Sequence, residues 1–207
     1  DLIERRLADP TLPMEEAFSQ QLKEEKLELP AGQFALFMNS MYAVDAYVRD
    51  YFRKAALDAL LAEKLPVTVF GEGWEKYSCG DEHSLRREPA VPFALSFERI
   101  AKAHVLLNVS PIFNRGMHDR VPAGMANHAV VLTDENPYLR RTFTDGKELL
   151  FYSLEKPDTL CEQAERTLTD VRLREKIAAS AYETFEREYT WKRRAEQILA
   201  FAEEVEA

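Results

Sequence analysis

Four short apolar runs constrain this chain more than any other feature. Val67-Thr68-Val69-Phe70, Val105-Leu106-Leu107-Asn108-Val109, Ala129-Val130-Val131-Leu132 and Leu149-Leu150-Phe151-Tyr152 are each four or five residues long and mostly aliphatic or aromatic. Strands that are apolar at nearly every position, rather than at alternate ones, belong to a sheet covered on both faces. The segments between them have helical character. Phe93, Phe97, Ile100 and Ala101 recur at i, i+4, i+7 and i+8, one face of a helix. Short helices are expected over 118–127 and 137–143, and three longer ones over 157–168, 170–188 and 191–205. Leu85-Arg86-Arg87 reads as a weaker edge strand. Strands alternating with helices specify an α/β architecture with a parallel sheet and right-handed crossovers.

The first 65 residues look helical. Residues 14–26 follow Pro13 and place Glu15 and Glu16 in the first turn, where negative charge meets the positive end of the helix dipole. Phe34, Leu36, Phe37 and Met38 form a cluster too short for its period to decide between helix and buried strand. Val44, Tyr47, Val48, Tyr51 and Phe52, then Ala55, Leu57, Leu60 and Leu61, recur at helical spacing over 44–64. Two parts are expected: a helical extension or connector over 1–65, and an α/β unit with its closing helices over 66–207. The chain starts at Asp1 rather than Met, which suggests a piece of something longer.

A chain of 207 residues, 46% hydrophobic and 30% charged, can bury a core without staples. Its formal net charge of -9 argues against nucleic-acid binding, which needs a basic surface to neutralise phosphates. A small anionic ligand in a local pocket remains compatible with that charge. Cys79 and Cys161 have no metal spacing and no disulfide framework, and read as reduced thiols of a cytoplasmic protein. No apolar run approaches the roughly 20 residues of a membrane span, and no signal-peptide pattern is present.

In an open α/β sheet, ligands bind beyond the carboxyl ends of the strands. That rule selects the loops 71–74, 108–116, 133–136 and 152–154. Gly71 and Gly73 let a phosphate approach the backbone and Trp74 can stack on a base, although the same residues also make an ordinary tight turn. The loop from Asn108 through Pro111, Asn114 and Gly116 leads into a helix near His118. Free N–H groups at a helix start and the Arg120 fork suit a phosphate. Equally, Asp119 can cap the helix while Arg120 pairs with a surface acid. Asp134, after Thr133 at a strand end, either bonds a sugar hydroxyl or satisfies the amides of its own turn. Asn136-Pro137 is a cap followed by a first-turn proline. His118 beside Asp119 makes an acid–base pair with no candidate nucleophile. No histidine has a second ligand at metal spacing, so no metal is expected.

Taken in order, residues 67–74, 103–109, Arg120 through Asp134, and Phe143-Thr144-Asp145-Gly146-Lys147-Glu148 resemble the C-terminal, nucleotide-sugar-binding domain of a GT-B glycosyltransferase. The nearest resemblance is to the spore-maturation-protein-like "glycosyl transferases group 1" family. There an Arg opens a short helix of the type R-x-F-E-A-x-A-C-G, an apolar strand and T-D follow, and a D-G-K-E segment precedes the last strand. Tyr189-Thr190-Trp191 is similar to that family's closing helix. The resemblance covers about residues 66–201 and implies a Rossmann-like parallel sheet of four to five strands flanked by helices, half of a GT-B fold, with an N-terminal helical extension. It implies a nucleotide sugar as donor, no metal or other cofactor, an unidentified acceptor, and a missing N-terminal domain as partner. The implied donor site takes in Gly71, Gly73, Asn108, Asn114, His118, Asp119, Arg120, Thr133 and Asp134.

The departures are specific. Related retaining enzymes carry two glutamates eight positions apart, and Arg115 and Ala123 stand there in this chain. His128 replaces the family's glycine before the strand, and Pro122 replaces an aromatic. These changes favour a second reading, a non-catalytic GT-B-like domain serving protein interaction or regulation. A concave pocket lined by Gly73, Asn108, Arg120 and Asp134 is expected of a donor site, and a surface plugged by Trp74 or Phe113 is expected of the alternative.

Overall fold

The computed structural model describes residues 2–206, so Asp1 and Ala207, the outer ends of the two expected parts, lie outside the described residues. Four helices come first: α1 (Leu2–Ala8), α2 (Met14–Glu24), α3 (Ala31–Ser40) and α4 (Tyr42–Ala62). Then follow β1 (Val67–Phe70), β2 (Leu85–Glu88), α5 (Phe93–Ile100), β3 (Val105–Asn108), α6 (Arg120–Ala126), β4 (Val130–Asp134), α7 (Pro137–Thr142) and β5 (Leu150–Tyr152). Helices α8 (Pro157–Thr169), α9 (Val171–Glu188) and α10 (Trp191–Glu206) end the chain. The cluster at Phe34–Met38 lies in helix α3. Asn136 caps α7 by accepting from Leu139 N–H at 2.8 Å, with Pro137 at the first helical position.

Every strand pairing is parallel, as runs buried on both faces predict. The ladder is nevertheless broken in two. β1 pairs with β2, and β3-β4-β5 forms a separate three-stranded sheet. Burial gives the reason. β4 and β5 are buried at every position, whereas β1 alternates between half-buried and exposed. β2 reads Leu-Arg-Arg-Glu and buries only Leu85. Two arginines and a glutamate cannot be covered on both faces without leaving charge unpaired. The β1–β2 pair therefore keeps one face in water instead of extending the central sheet.

β4 divides the interior. Val130 and Leu132 point to one side and meet Val48, Phe52 and Leu60 of α4, with Leu160 of α8 and Ile177 of α9. Val131 points to the other and meets Val121 and Met125 of α6, with Leu139 and Phe143. Alternation across the strand assigns neighbouring residues to different cores. Each of these side chains, taken fully out of water, contributes about 1.5–3 kcal/mol. α4 is thus a covering helix of the sheet although it precedes the first strand. Helices α1 to α3 share a cluster of their own, built from Leu2, Met14, Ala17 and Phe18 with Phe34 and Met38 packed on it.

Gly124 sets the approach of α6 to the sheet. A Cβ at this position would stand 2.4 Å from Val131 Cγ2 and 3.0 Å from Leu106 Cδ2. Gly124→Ala is therefore expected to destabilise by about 1–3 kcal/mol through overpacking, against which the better helix propensity of alanine returns at most about 1 kcal/mol. Chemical denaturation reads the net loss. An unchanged midpoint would mean that α6 can step away from β4.

At the other end of the chain α10 is sparsely covered. Trp191 is 90% exposed, and Ile198, Leu199, Phe201 and Val205 are exposed with it. Among the described residues no helix is long and apolar enough to cross a membrane.

Candidate functional site

One hydrogen-bonded network closes the carboxyl ends of β3, β4 and β5. Parallel register sets Asn108 opposite Thr133 and Asp134 opposite Tyr152. Asn108 Nδ2 donates to Thr133 Oγ1 at 2.9 Å, and the Tyr152 hydroxyl donates to the Asn108 carbonyl at 3.0 Å. Asn108 Oδ1 accepts from the Ser110 hydroxyl at 2.9 Å and from Arg120 Nη1 at 2.6 Å. The Ser110 N–H donates to Asp134 Oδ1 at 2.7 Å. All of these residues are buried except Arg120, which is half-buried.

Arg120 opens α6 and leans on His118. Its Nη2 lies 3.2 Å from His118 Nε2, and Asp119 pairs with His118 Nδ1. A guanidinium can only donate, so Nε2 accepts from it, while Nδ1 faces both the Arg120 backbone N–H at 3.2 Å and the Asp119 carboxylate. Burial is the main reason that the His118 pKa falls below its ordinary value, with Arg120 and Arg53 adding repulsion against the attraction of Asp119. The ring is therefore neutral at pH 7. Burial also lowers the Arg120 pKa, and the next contribution is again Arg53.

Arg53 comes from α4, and Arg49, one turn earlier on the same helix, acts on Arg53. Asp50 lies 3.8 Å from Arg49 and 3.9 Å from Arg53, at the far limit of ion pairing, and is exposed. Among the described residues no carboxylate stands within ion-pair distance of Arg120. A partly buried guanidinium with neutral hydrogen-bond partners and a second guanidinium nearby is electrostatically suited to an anion.

Asp134 does not discharge that role. Burial pushes its carboxyl up to about 7, although the N–H groups of Ser110 and of Asp134 itself and, more weakly, Arg120 pull it down. Tyr152 is pushed well above its ordinary value by burial and then by Asp134. The network thus holds one carboxyl that is only partly ionised near pH 7, with a cation at its margin.

The structure brings together Asn108, His118, Asp119, Arg120, Thr133 and Asp134 from the expected set. Gly71 and Gly73 adopt positive φ values of 123° and 89°, so both need glycine. The hydrogen bonds of their turn stay local: Trp74 Nε1 donates to the Phe70 carbonyl at 3.2 Å, and Arg87 Nε donates to the Trp74 carbonyl at 3.0 Å. Asn114 serves a different contact, donating to the Pro10 carbonyl at 2.8 Å and to the Pro111 carbonyl at 3.0 Å. Arg115 is ion-paired with Glu16 of α2. Ser110 and Tyr152 fall in the strand-end loops 108–116 and 152–154 without being singled out there, and Arg49 and Arg53 lie outside every expected site segment. A buried tyrosine at a strand's carboxyl end needs a partner for its hydroxyl, which was a usable signal. The two arginines gave none, because they look like the solvated side of a helix.

Beyond the ends of β4 and β5 lies a cavity of about 260 Å³, lined by Asp134, Glu135, Arg140 and Glu155 together with Pro10 and Thr11 of the α1–α2 turn. Asp134 lines it, but Gly73, Asn108 and Arg120 do not. The Phe113 ring stands edge-on to His118 at 5.1 Å. Among the described residues no group of three or more His, Cys, Asp or Glu side chains is arranged to hold a metal ion.

Residues 49–200 match the family described as glycosyl transferase-like. No curated protein matches the chain significantly. Among solved structures, Anabaena Alr3699/HepE in complex with UDP-glucose is similar with a TM-score of 0.59 and 12% identity, over 74% of this chain and 44% of that one. TarM is similar with a TM-score of 0.55 and 12% identity, over 72% of this chain and 31% of that one. The chain spans less than half the length of either. At such identity the likeness shows the fold, a parallel α/β unit of GT-B type.

Proposed function

Because this chain belongs to the glycosyl transferase-like family, we propose that it is the nucleotide-sugar-binding half of a glycosyltransferase, with the donor's diphosphate held by Arg120 and Arg53. The observation that carries this reading is Arg120. It is half-buried, bonded to the neutral side chains of Asn108 and His118, repelled by Arg53, and without a carboxylate at ion-pair distance among the described residues, although Asp119 and Asp134 attract it from farther off. A diphosphate supplies the missing negative charge, and the guanidinium fork fits two of its oxygens. Neutral His118 holds one edge of that fork, which fixes its direction before the ligand arrives. The UDP-glucose bound to HepE supports a nucleotide sugar as the ligand class.

Transfer then needs an acceptor and a second lobe. The exposed apolar side chains of α10 suit contact with such a partner domain. We read the reaction as independent of metal and cofactor, with guanidinium groups doing the charge neutralisation, and the protein as cytoplasmic.

Thermal unfolding against UDP, GDP, ADP and CMP tests the reading. A nucleotide at about 100 times its dissociation constant should stabilise the fold by roughly 2.7 kcal/mol. Arg120→Ala is expected to abolish that shift for the one nucleotide that gives it. A folded protein that responds to none of them favours the second reading, a non-catalytic GT-B-like domain for protein interaction or regulation. Phe113 against His118, and the absence of an acid at Arg115 and Ala123, are the observations on that side.

A further inference from the structure

The cavity beyond β4 and β5 plays no part in holding a diphosphate, and its walls have a chemistry of their own. Asp134 is 3% exposed, and its carboxyl accepts from the Ser110 N–H at 2.7 Å and from its own backbone N–H. Ionised, a carboxyl has about four acceptor sites, and protonated it gains a donor, so part of its hydrogen-bonding capacity is left over in a buried wall. Glu155 supplies a second carboxyl, with no side-chain hydrogen bond or ion pair among the described residues. Arg140 is held in place by Glu135, to which its Nε donates at 2.7 Å, and by the Phe151 ring, 4.3 Å from its guanidinium carbon. Its remaining N–H groups are donors.

The apolar part of the lining consists of compact pieces: Pro10, Pro111, Pro137 and Leu154. Acceptors in excess, one fixed donor and small apolar faces suit a ligand with many hydroxyls and C–H faces. The volume of about 260 Å³ is in keeping with one sugar ring.

We propose that this cavity is a carbohydrate subsite that takes a single hydroxyl-rich six-membered ring, whose hydroxyls donate to Asp134 and Glu155 and whose oxygens accept from Arg140. Carboxylate recognition of the sugar is thereby moved from positions 115 and 123 to the ends of β4 and β5. The ring is either the donor's own sugar, in which case the inference rests on the donor reading above, or a sugar of the acceptor.

Two variants and three ligand classes separate these sources. Thr11→Trp puts a bulky ring into the cavity from an exposed turn, and Glu155→Gln removes one carboxylate. Thermal unfolding confirms that each variant is folded. The backbone amide resonances of Glu135, Ser153 and Glu155 are followed during titration with UDP, with UDP-glucose, and with the methyl glycosides of glucose, galactose and mannose. If the ring is the donor's, UDP-glucose shifts these amides and binds at least tenfold more tightly than UDP. Thr11→Trp then reduces UDP-glucose to the affinity of UDP and leaves UDP unchanged. If the ring is the acceptor's, a methyl glycoside shifts the same amides in the wild type and in neither variant, while UDP-glucose and UDP bind alike. A glycoside response without any UDP binding would end the donor reading and leave the subsite standing. The subsite is overturned if no sugar moves these amides, or if both variants respond as the wild type does.

Discussion

Arg6→Ala is expected to destabilise the protein by about 3–5 kcal/mol, the range for breaking the partnership of a buried charge. Arg6 is 0% exposed. Its Nη1 donates to the carbonyls of Leu12 and, at 3.5 Å, Pro10, and its Nη2 donates to the carbonyl of Pro111 at 3.0 Å. Nε finds no partner. Burial lowers the pKa of the group, and Asp45, Asp9 and Glu15 work against that without reaching ion-pair distance. Three carbonyls from two separate segments therefore share one fork. Truncation takes the side-chain donor from the Leu12 carbonyl, leaves the Pro10 and Pro111 carbonyls to Asn114 alone, and leaves a void where the stem was.

The loss has a direction in the structure. The Pro111 carbonyl belongs to the loop that delivers the Ser110 N–H to Asp134, and Asn114 ties the same loop to Pro10. Helices α1 and α2 are thus fastened to the site loop by polar contacts, while their apolar side chains pack among themselves, on α3 and, through Leu7 and Val44, on α4 and the main core. Arg6→Met, which keeps the stem and drops the fork, is expected to lose about 1–3 kcal/mol. Amide hydrogen exchange at Phe113 and Gly116 should quicken in both variants and stay slow in Leu2→Ala, which weakens the helical layer without touching the loop. A denaturation midpoint unchanged in Arg6→Ala would show that the N-terminal layer and the site loop are independent.

The order of elements was legible because burial on both faces is written into the composition of β4 and β5. The break in the sheet was less so. The pairing of β1 with β2 rather than β3 is a fact about hydrogen bonds between distant segments, and only the charges of Arg86, Arg87 and Glu88 hinted at it. Helical period was read correctly at 93–101, yet Phe93 is 72% exposed. Periodicity identifies a face and says nothing about what covers it. In the site, Asn108, Thr133 and Asp134 were visible as polar residues that end apolar strands. Arg49 and Arg53 were not, since arginines at i, i+4 on an amphipathic helix are usually a solvated face. Only the packing of α4 across the sheet brings Arg53 near enough for its charge to act on Arg120.

Asp134→Asn should remove the pH dependence that this one carboxyl imposes. Its pKa in the folded protein is about 7, against an ordinary 3.8, and burial is the first cause. Between those two values the folded state keeps a proton that the unfolded chain releases, so stability is present in full below about pH 4 and falls as pH rises through about 7. A displacement of that size corresponds to about 4 kcal/mol as an upper figure for a fully buried group. Asparagine still offers an oxygen to the Ser110 N–H and never ionises. The variant is therefore expected to match the wild type at pH 4 and to exceed it by about 2–4 kcal/mol at pH 8, read by urea denaturation at both values. A level profile would have a wider consequence. Wild-type stability that stayed level between pH 5 and pH 8 relative to the variant would mean an Asp134 already ionised at pH 5 and paired electrostatically with Arg120. The guanidinium would then be neutralised inside the protein, and the argument that Arg120 awaits a phosphate would fail with it.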